Sequence, residues 1–177
     1  YLTFLININE GIVKAVTGEL EFDYKACIFT MESDQAVGLS GFFDEEKTMN
    51  LGVVDISVSS PYITVGVVSM DGMKLDRSKK ILVQTGTSYL PTDWEEEVAE
   101  FEGRGQKMQG YKIINTGKMP WMAAPTKVSI SIENKKLKKA ILLDLAGYPL
   151  KELKITRNTN TFSVELPPEC LYVVLSE

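Results

Sequence analysis

The sequence predicts an all-β fold: a two-sheet antiparallel β-sandwich with one short helix in an insertion near residues 92–101. Three observations predict it. Apolar and polar residues alternate with period two along most of the chain, and turn-forming residues cut the alternation into short runs. The amphipathic helices that a parallel α/β sheet needs between its strands are missing.

The runs follow one another in order. GELEFDYKACIFTMES alternates from Glu19 to Glu32, with Leu20, Phe22 and Tyr24 on one side. Past Lys25 the alternation continues through Cys27, Phe29 and Met31, or through Ala26, Ile28 and Thr30 on the opposite face. VVDISVSS (53–60) places Val54, Ile56 and Val58 on one face, and YITVGVVSM (62–70) is dense in β-branched residues. KKILVQTG (79–86), KVSISIEN (127–134), KKAILLDL (138–145), TFSVEL (161–166) and CLYVVL (170–175) complete the set. Turn residues lie between them: Ser33-Asp34, Ser60-Pro61, Asp71-Gly72, Gly86, Glu133-Asn134, Ala146-Gly147, Asn158 to Asn160 and Pro167-Pro168. Short strands so spaced build a sandwich or a barrel, and the sandwich is the expected form.

Met70-Asp71-Gly72-Met73 reads as a two-residue hairpin turn, since Asp-Gly tolerates the positive φ angles such turns need. Asp71 is therefore expected to turn the chain, not to catalyse, and Asp76 to lie on the polar approach to the next strand. The helix is expected in TDWEEEVAEF (92–101), where Trp94, Val98 and Phe101 fall at i, i+4 and i+7. Thr92 or Asp93 would cap it, and the acidic first turn suits the helix dipole. It sits in an insertion from Tyr89 to Tyr111 whose tail, EGRGQKMQG, reads as a Gly-rich mobile loop.

Composition bounds the function. The 177 residues are 44% hydrophobic and 24% charged, enough for one domain with a sizeable core. A net charge of −5 offers no electrostatic footprint for nucleic acid. No apolar run approaches the roughly 20 residues that span a bilayer as a helix. The chain holds no histidine, which excludes a Ser-His-Asp triad, a Cys-His pair and any His-ligated metal within it. The two cysteines, Cys27 and Cys170, lie in the strand-like stretches YKACIF and ECLYVVL. They are expected as half-buried thiols, with a bridge between them left open because sequence does not give their separation. The chain starts at Tyr1 without a leader pattern and is read as a single domain, 1–177, cut from a longer protein.

Several motifs occur in one order: VTGELEFD, FTMESDQAVGLSGF, SMDGMKLDRSKKILVQTG, INTGKMPWMAAPTKVSISI, KKAILLDLAGYPLKEL and VELPPECLYVVL. Together they resemble the β-sandwich domain that follows the (β/α)-barrel in large bacterial glycoside hydrolases of the cellulase-like superfamily, some of them agarase-like. The resemblance covers most of the chain. It departs at Lys74, where the pattern often has proline, at the inserted Lys118, and in the length of the 92–101 insertion. It implies a non-catalytic accessory domain of a polysaccharide-degrading hydrolase, secreted or periplasmic, packed against the catalytic barrel. In that family the catalytic glutamates lie on the barrel, so no catalytic residue carries over.

The residues leave two other classes open. An independent carbohydrate-binding module would use exposed aromatic platforms, and the candidates are Trp94, Tyr89 and Trp121, with Tyr111 behind them. A freestanding glycosidase would need a carboxylate pair, for which Asp44-Glu45-Glu46 and Glu95-Glu96-Glu97 are the available clusters. No cofactor is expected. A structural calcium ion would draw on Asp34, Asp44 and Glu45. The lysines at 135, 136, 138 and 139 are expected to guard a strand edge.

Overall fold

The computed structural model describes residues 4–43, 45–103 and 105–177. The fold is all-β with antiparallel sheets, and the chain divides into two compact units, residues 1–87 with 125–177, and residues 88–124. No helix among the described residues is long and apolar enough to cross a membrane.

The first unit begins with β1 (Phe4–Asn7), β2 (Ile12–Ala15), β3 (Leu20–Asp23), β4 (Ile28–Glu32) and β5 (Ala36–Gly41). These form an antiparallel meander, each strand pairing with the next. Then come β6 (Lys47–Leu51), β7 (Val54–Val58), β8 (Ile63–Ser69) and β9 (Lys80–Gly86). In the second unit lie β10 (Tyr89–Gly103) and β11 (Gln106–Ala123). The chain closes with β12 (Val128–Glu133), β13 (Lys139–Leu143), β14 (Pro149–Glu152), β15 (Ile155–Arg157), β16 (Thr161–Leu166) and β17 (Tyr172–Ser176).

Ten strands form one sheet in the order β1-β2-β3-β4-β5-β8-β9-β17-β13-β14, and five form another in the order β15-β16-β12-β7-β6. The two sheets share one core. Val54, Ile56, Ile130, Ile132 and Phe162 come from the five-stranded sheet, and Val65, Val67, Ile81, Val83, Val173 and Leu175 from the ten-stranded one. All of these are buried, because each strand's period-two alternation turns its β-branched residues to the same side. Covering a leucine-sized side chain contributes roughly 1.5–3 kcal/mol, so this cluster dominates the stability of the unit. Close approach is built in at Gly41, where a Cβ would stand 2.8 Å from the Cys27 carbonyl oxygen.

The structure corrects the sequence reading at several places. The helix expected over 92–101 is absent: these residues lie in β10, paired with β11 from Tyr89↔Ala123 to Gly103↔Gln106. The i, i+4, i+7 spacing was outweighed by a partner strand that a helical reading cannot see. Trp94 faces Thr116, Val98 faces Tyr111, and Phe101 faces Met108. The expected loop at 102–110 is likewise mostly strand. Gly117, at φ 69, sits where a Cβ would lie 2.6 Å from the Thr92 carbonyl oxygen, so the ribbon depends on that glycine.

Asp71 does not sit in a two-residue hairpin. Residues 70–79 form a longer connection between β8 and β9. The Asp71 carboxylate organises it, accepting from the Lys79 N–H at 2.7 Å, the Ser78 hydroxyl at 2.8 Å, the Ser69 hydroxyl at 2.9 Å and the Met73 N–H at 3.2 Å. Cys27 lies in the turn before β4, exposed and at φ 54, not in a strand, while Cys170 is buried; both are free thiols. The lysines at 135–139 lead into β13, which is flanked by β17 and β14, so they do not guard an edge.

Candidate functional site

The residues that the shared core leaves over define the most unusual surface. On β5, β8 and β9 the core-facing residues are Val37, Leu39, Val65, Val67, Ile81 and Val83. Their neighbours Gly38, Ser40, Thr64, Gly66, Val68 and Leu82 therefore point out of the other side of the sheet. Register carries that outer face across the sheet. Ser40 stands beside Phe29, Phe29 beside Phe22, Phe22 beside Val13, and Val13 beside Ile6. A second row runs from Leu20 through Met31, Gly38, Gly66 and Gln84 to Tyr172 and Leu143. A third joins Ala36, Val68, Leu82, Val174 and Ile141.

These rows are uncharged as far as β13, but the third continues to Glu152 on β14, and the next row of the same face holds Lys80, Ser176 and Lys139. On the core-facing side of β2 to β4 the register places Lys14, Glu21 and Thr30 beside Leu39. Over the first strands the usual arrangement is thus inverted, with polar residues on the core side and apolar residues outside. Phe22 is 40% exposed, Phe29 38% and Ile6 65%. Ile6, Phe22 and Phe29 thus form an exposed apolar patch over the first strands. Between its aromatic and aliphatic ridges β5 and β8 carry only small residues, and a Cβ on Gly66 would meet nothing within 4 Å.

The predicted aromatic candidates all fall in the second unit. Tyr89 and Trp121 are exposed near the open end of the β10–β11 ribbon, where Pro91 pairs with Trp121 and Tyr89 with Ala123. The alternation puts both rings on one face. Trp94 is half-buried, and its indole N–H donates to Glu96 at 2.9 Å.

The carboxylate clusters are likewise placed by strand geometry. Glu95 and Glu97 project from one face of β10 and Glu96 from the other. Asp44 lies outside the described residues. Of the calcium candidates, Asp34 pairs with Lys74 at 2.6 Å, and Glu45 is exposed. Among the described residues no group of three or more His, Cys, Asp or Glu could hold a metal ion.

One polar cavity escaped sequence reasoning. A space of about 390 Å³ is lined by Glu32, Asp34, Lys74 and Asp76, with Val37, Leu51 and Val53 behind them. Asp76 Oδ1 is enclosed there without a hydrogen-bond partner, while its other oxygen lies 3.6 Å from Arg77 Nε. These residues come from three separate stretches, 32–37, 51–53 and 74–76, so no sequence spacing could have grouped them.

No protein-family model, no curated protein and no solved structure matches this chain.

Proposed function

We propose that this chain is a non-catalytic accessory domain, a two-sheet antiparallel β-sandwich, of a bacterial polysaccharide-degrading glycoside hydrolase. It packs against the catalytic barrel and acts outside the cytoplasm, secreted or periplasmic. The supporting observation is the exposed apolar patch that the first strands carry on the outer face of the ten-stranded sheet. A sheet face that carries Leu20, Phe22, Phe29, Met31, Leu82 and Val174 is chemically matched to another protein surface and poorly matched to water. Covering the remaining surface of Phe22 and Phe29 contributes about 1–2 kcal/mol for each ring. The order of sequence motifs supplies the identity of the partner.

The test is co-purification with the barrel, expressed as a separate chain. The unaltered domain co-purifies, and the Phe22→Lys, Phe29→Lys double variant stays folded but separates. A folded, unaltered domain that never binds the barrel overturns the reading.

The binding-module reading keeps one observation in its favour, the exposed pair Tyr89 and Trp121 on one face of the ribbon. Retention of the isolated chain on a polysaccharide panel, abolished in a Trp121→Ala variant, would establish it in place of the packing role.

A further inference from the structure

We propose that the free edge of β11 pairs with the same edge of a second copy of this chain. Two ribbons then merge into one four-stranded antiparallel sheet about a two-fold axis at Tyr111. The ribbon is long, 15 residues in β10 and 18 in β11, and among the described residues no third strand pairs with either. Two strands alone are marginal in water, and each outer edge offers a row of unpaired N–H and C=O groups.

The two edges are not equivalent. β10 carries Asp93, Glu95, Glu96, Glu97, Glu100 and Glu102, a density of charge that repels an added strand of its own kind. Each lysine of β11 has a carboxylate partner on β10, in an exposed pair. Lys107 pairs with Glu100 at 3.7 Å, Lys112 with Glu97 at 3.3 Å and Lys118 with Asp93 at 2.6 Å. β11 carries far fewer charges than β10, with Met108, Tyr111 and Ile113 each at least half exposed.

Charge selects the occupant and the register. Pairing β11 with β10 of a second copy would leave an open edge at every step and grow without closing, whereas β11 on β11 closes as an isologous dimer. Centred on Tyr111, within the regular stretch of β11 before the irregularity at Ile114, the pairing sets Lys112 opposite Gly110 and Ile113 opposite Gln109 of the second copy, so no lysine meets a lysine there. A slip of one residue to centre on Lys112 would force that clash. The acidic β10 strands become the outer edges of the four-stranded sheet and stop further addition. This surface is distinct from the outer face of the ten-stranded sheet, so the two proposals fail separately.

Sedimentation equilibrium of the 177-residue chain is expected to show a monomer–dimer equilibrium. Tyr111→Lys, which sets two ammonium groups face to face, weakens the dimer at least about fivefold. Phe29→Lys leaves it unchanged. Tyr111→Cys in a Cys27→Ser background forms an intermolecular disulfide under mild oxidation, because directly opposed strand residues lie within bridging distance. A monomer at every concentration overturns the proposal. So does a dimer that Phe29→Lys disrupts and Tyr111→Lys does not. Circular dichroism and the melting transition establish that each variant is folded.

Discussion

The side-chain amide of Asn134 donates to the backbone carbonyl of Leu75 at 2.7 Å, across 59 positions of sequence. The same amide reaches the Ser78 carbonyl at 2.9 Å, and its oxygen accepts from the Lys136 N–H at 2.7 Å and the Leu137 N–H at 3.3 Å. A residue only 1% exposed thus ties the β8–β9 connection to the turn that leads into β13. Replacing it by leucine strands two carbonyls and two N–H groups in a dry site. Asn134→Leu is expected to cost about 2–4 kcal/mol, since an unsatisfied buried polar group costs about 1–3 kcal/mol and several are exposed at once. Urea unfolding checks it, as a lower midpoint at unchanged slope.

Phe162 is completely buried on β16, between β15 and β12 of the five-stranded sheet. Phe162→Ala removes its contacts with the core and leaves a cavity, and the expected loss is about 3–5 kcal/mol. The comparison is Phe22→Ala on the outer face, where the ring is already 40% exposed. That change is expected to cost about 1 kcal/mol or less in the isolated chain. Equal effects of the two substitutions in urea titrations would contradict the assignment of inner and outer faces.

Asp71 gives the connection a pH dependence. The Lys79 backbone N–H, with the Ser78 and Ser69 hydroxyls and the Met73 N–H, holds its carboxyl well below the ordinary value of 3.8. The folded state therefore binds fewer protons than the unfolded state near and below that value. Its contribution to stability is complete above about pH 4 and is lost as the pH falls towards the depressed folded value. Asp71→Asn is expected to lower the melting temperature at neutral pH, and the gap from the unaltered protein is expected to narrow between about pH 4 and about pH 2. A gap constant across that window would show that the carboxylate charge plays no part.

The two thiols are expected to separate cleanly in a labelling experiment. Cys27 is exposed in its turn, whereas burial pushes the Cys170 thiol up to about 11. Thiolate is the reactive form, so Cys170 is both inaccessible and protonated at neutral pH. A thiol reagent should modify one cysteine in the native protein and both after denaturation. Rapid native labelling of Cys170, identified by mass spectrometry of the peptides, would contradict its burial.

Much of the strand pattern was legible in the residues. VVDISVSS, KVSISIEN and TFSVEL became β7, β12 and β16, with the expected apolar faces turned inward. Each carries its own signal, an alternation of β-branched and small polar residues that needs no distant partner to be read. The stretch from Thr92 to Phe101 was misread for the opposite reason. Its spacing of Trp94, Val98 and Phe101 fits a helix, and only the long pairing with β11 makes it a strand. The candidate aromatics were visible as residue types. Placing Tyr89 and Trp121 on one face of a ribbon required the register.

By itself the sequence determined the alternation: which side chains of a strand lie together, and that a chain without histidine is closed to histidine chemistry. Leu20 and Phe22, and Phe29 and Met31, were bound to share sides of their strands because successive residues of a pleated backbone point in opposite directions. Only the tertiary structure decided which of those sides is covered. Five strands suffice to cover part of a ten-stranded sheet on one side, and the register then leaves Phe22 and Phe29 on the uncovered side. The physical reason is that alternation is a local property of the backbone. Burial depends on which sheets meet, and that is settled by contacts between residues far apart in the chain.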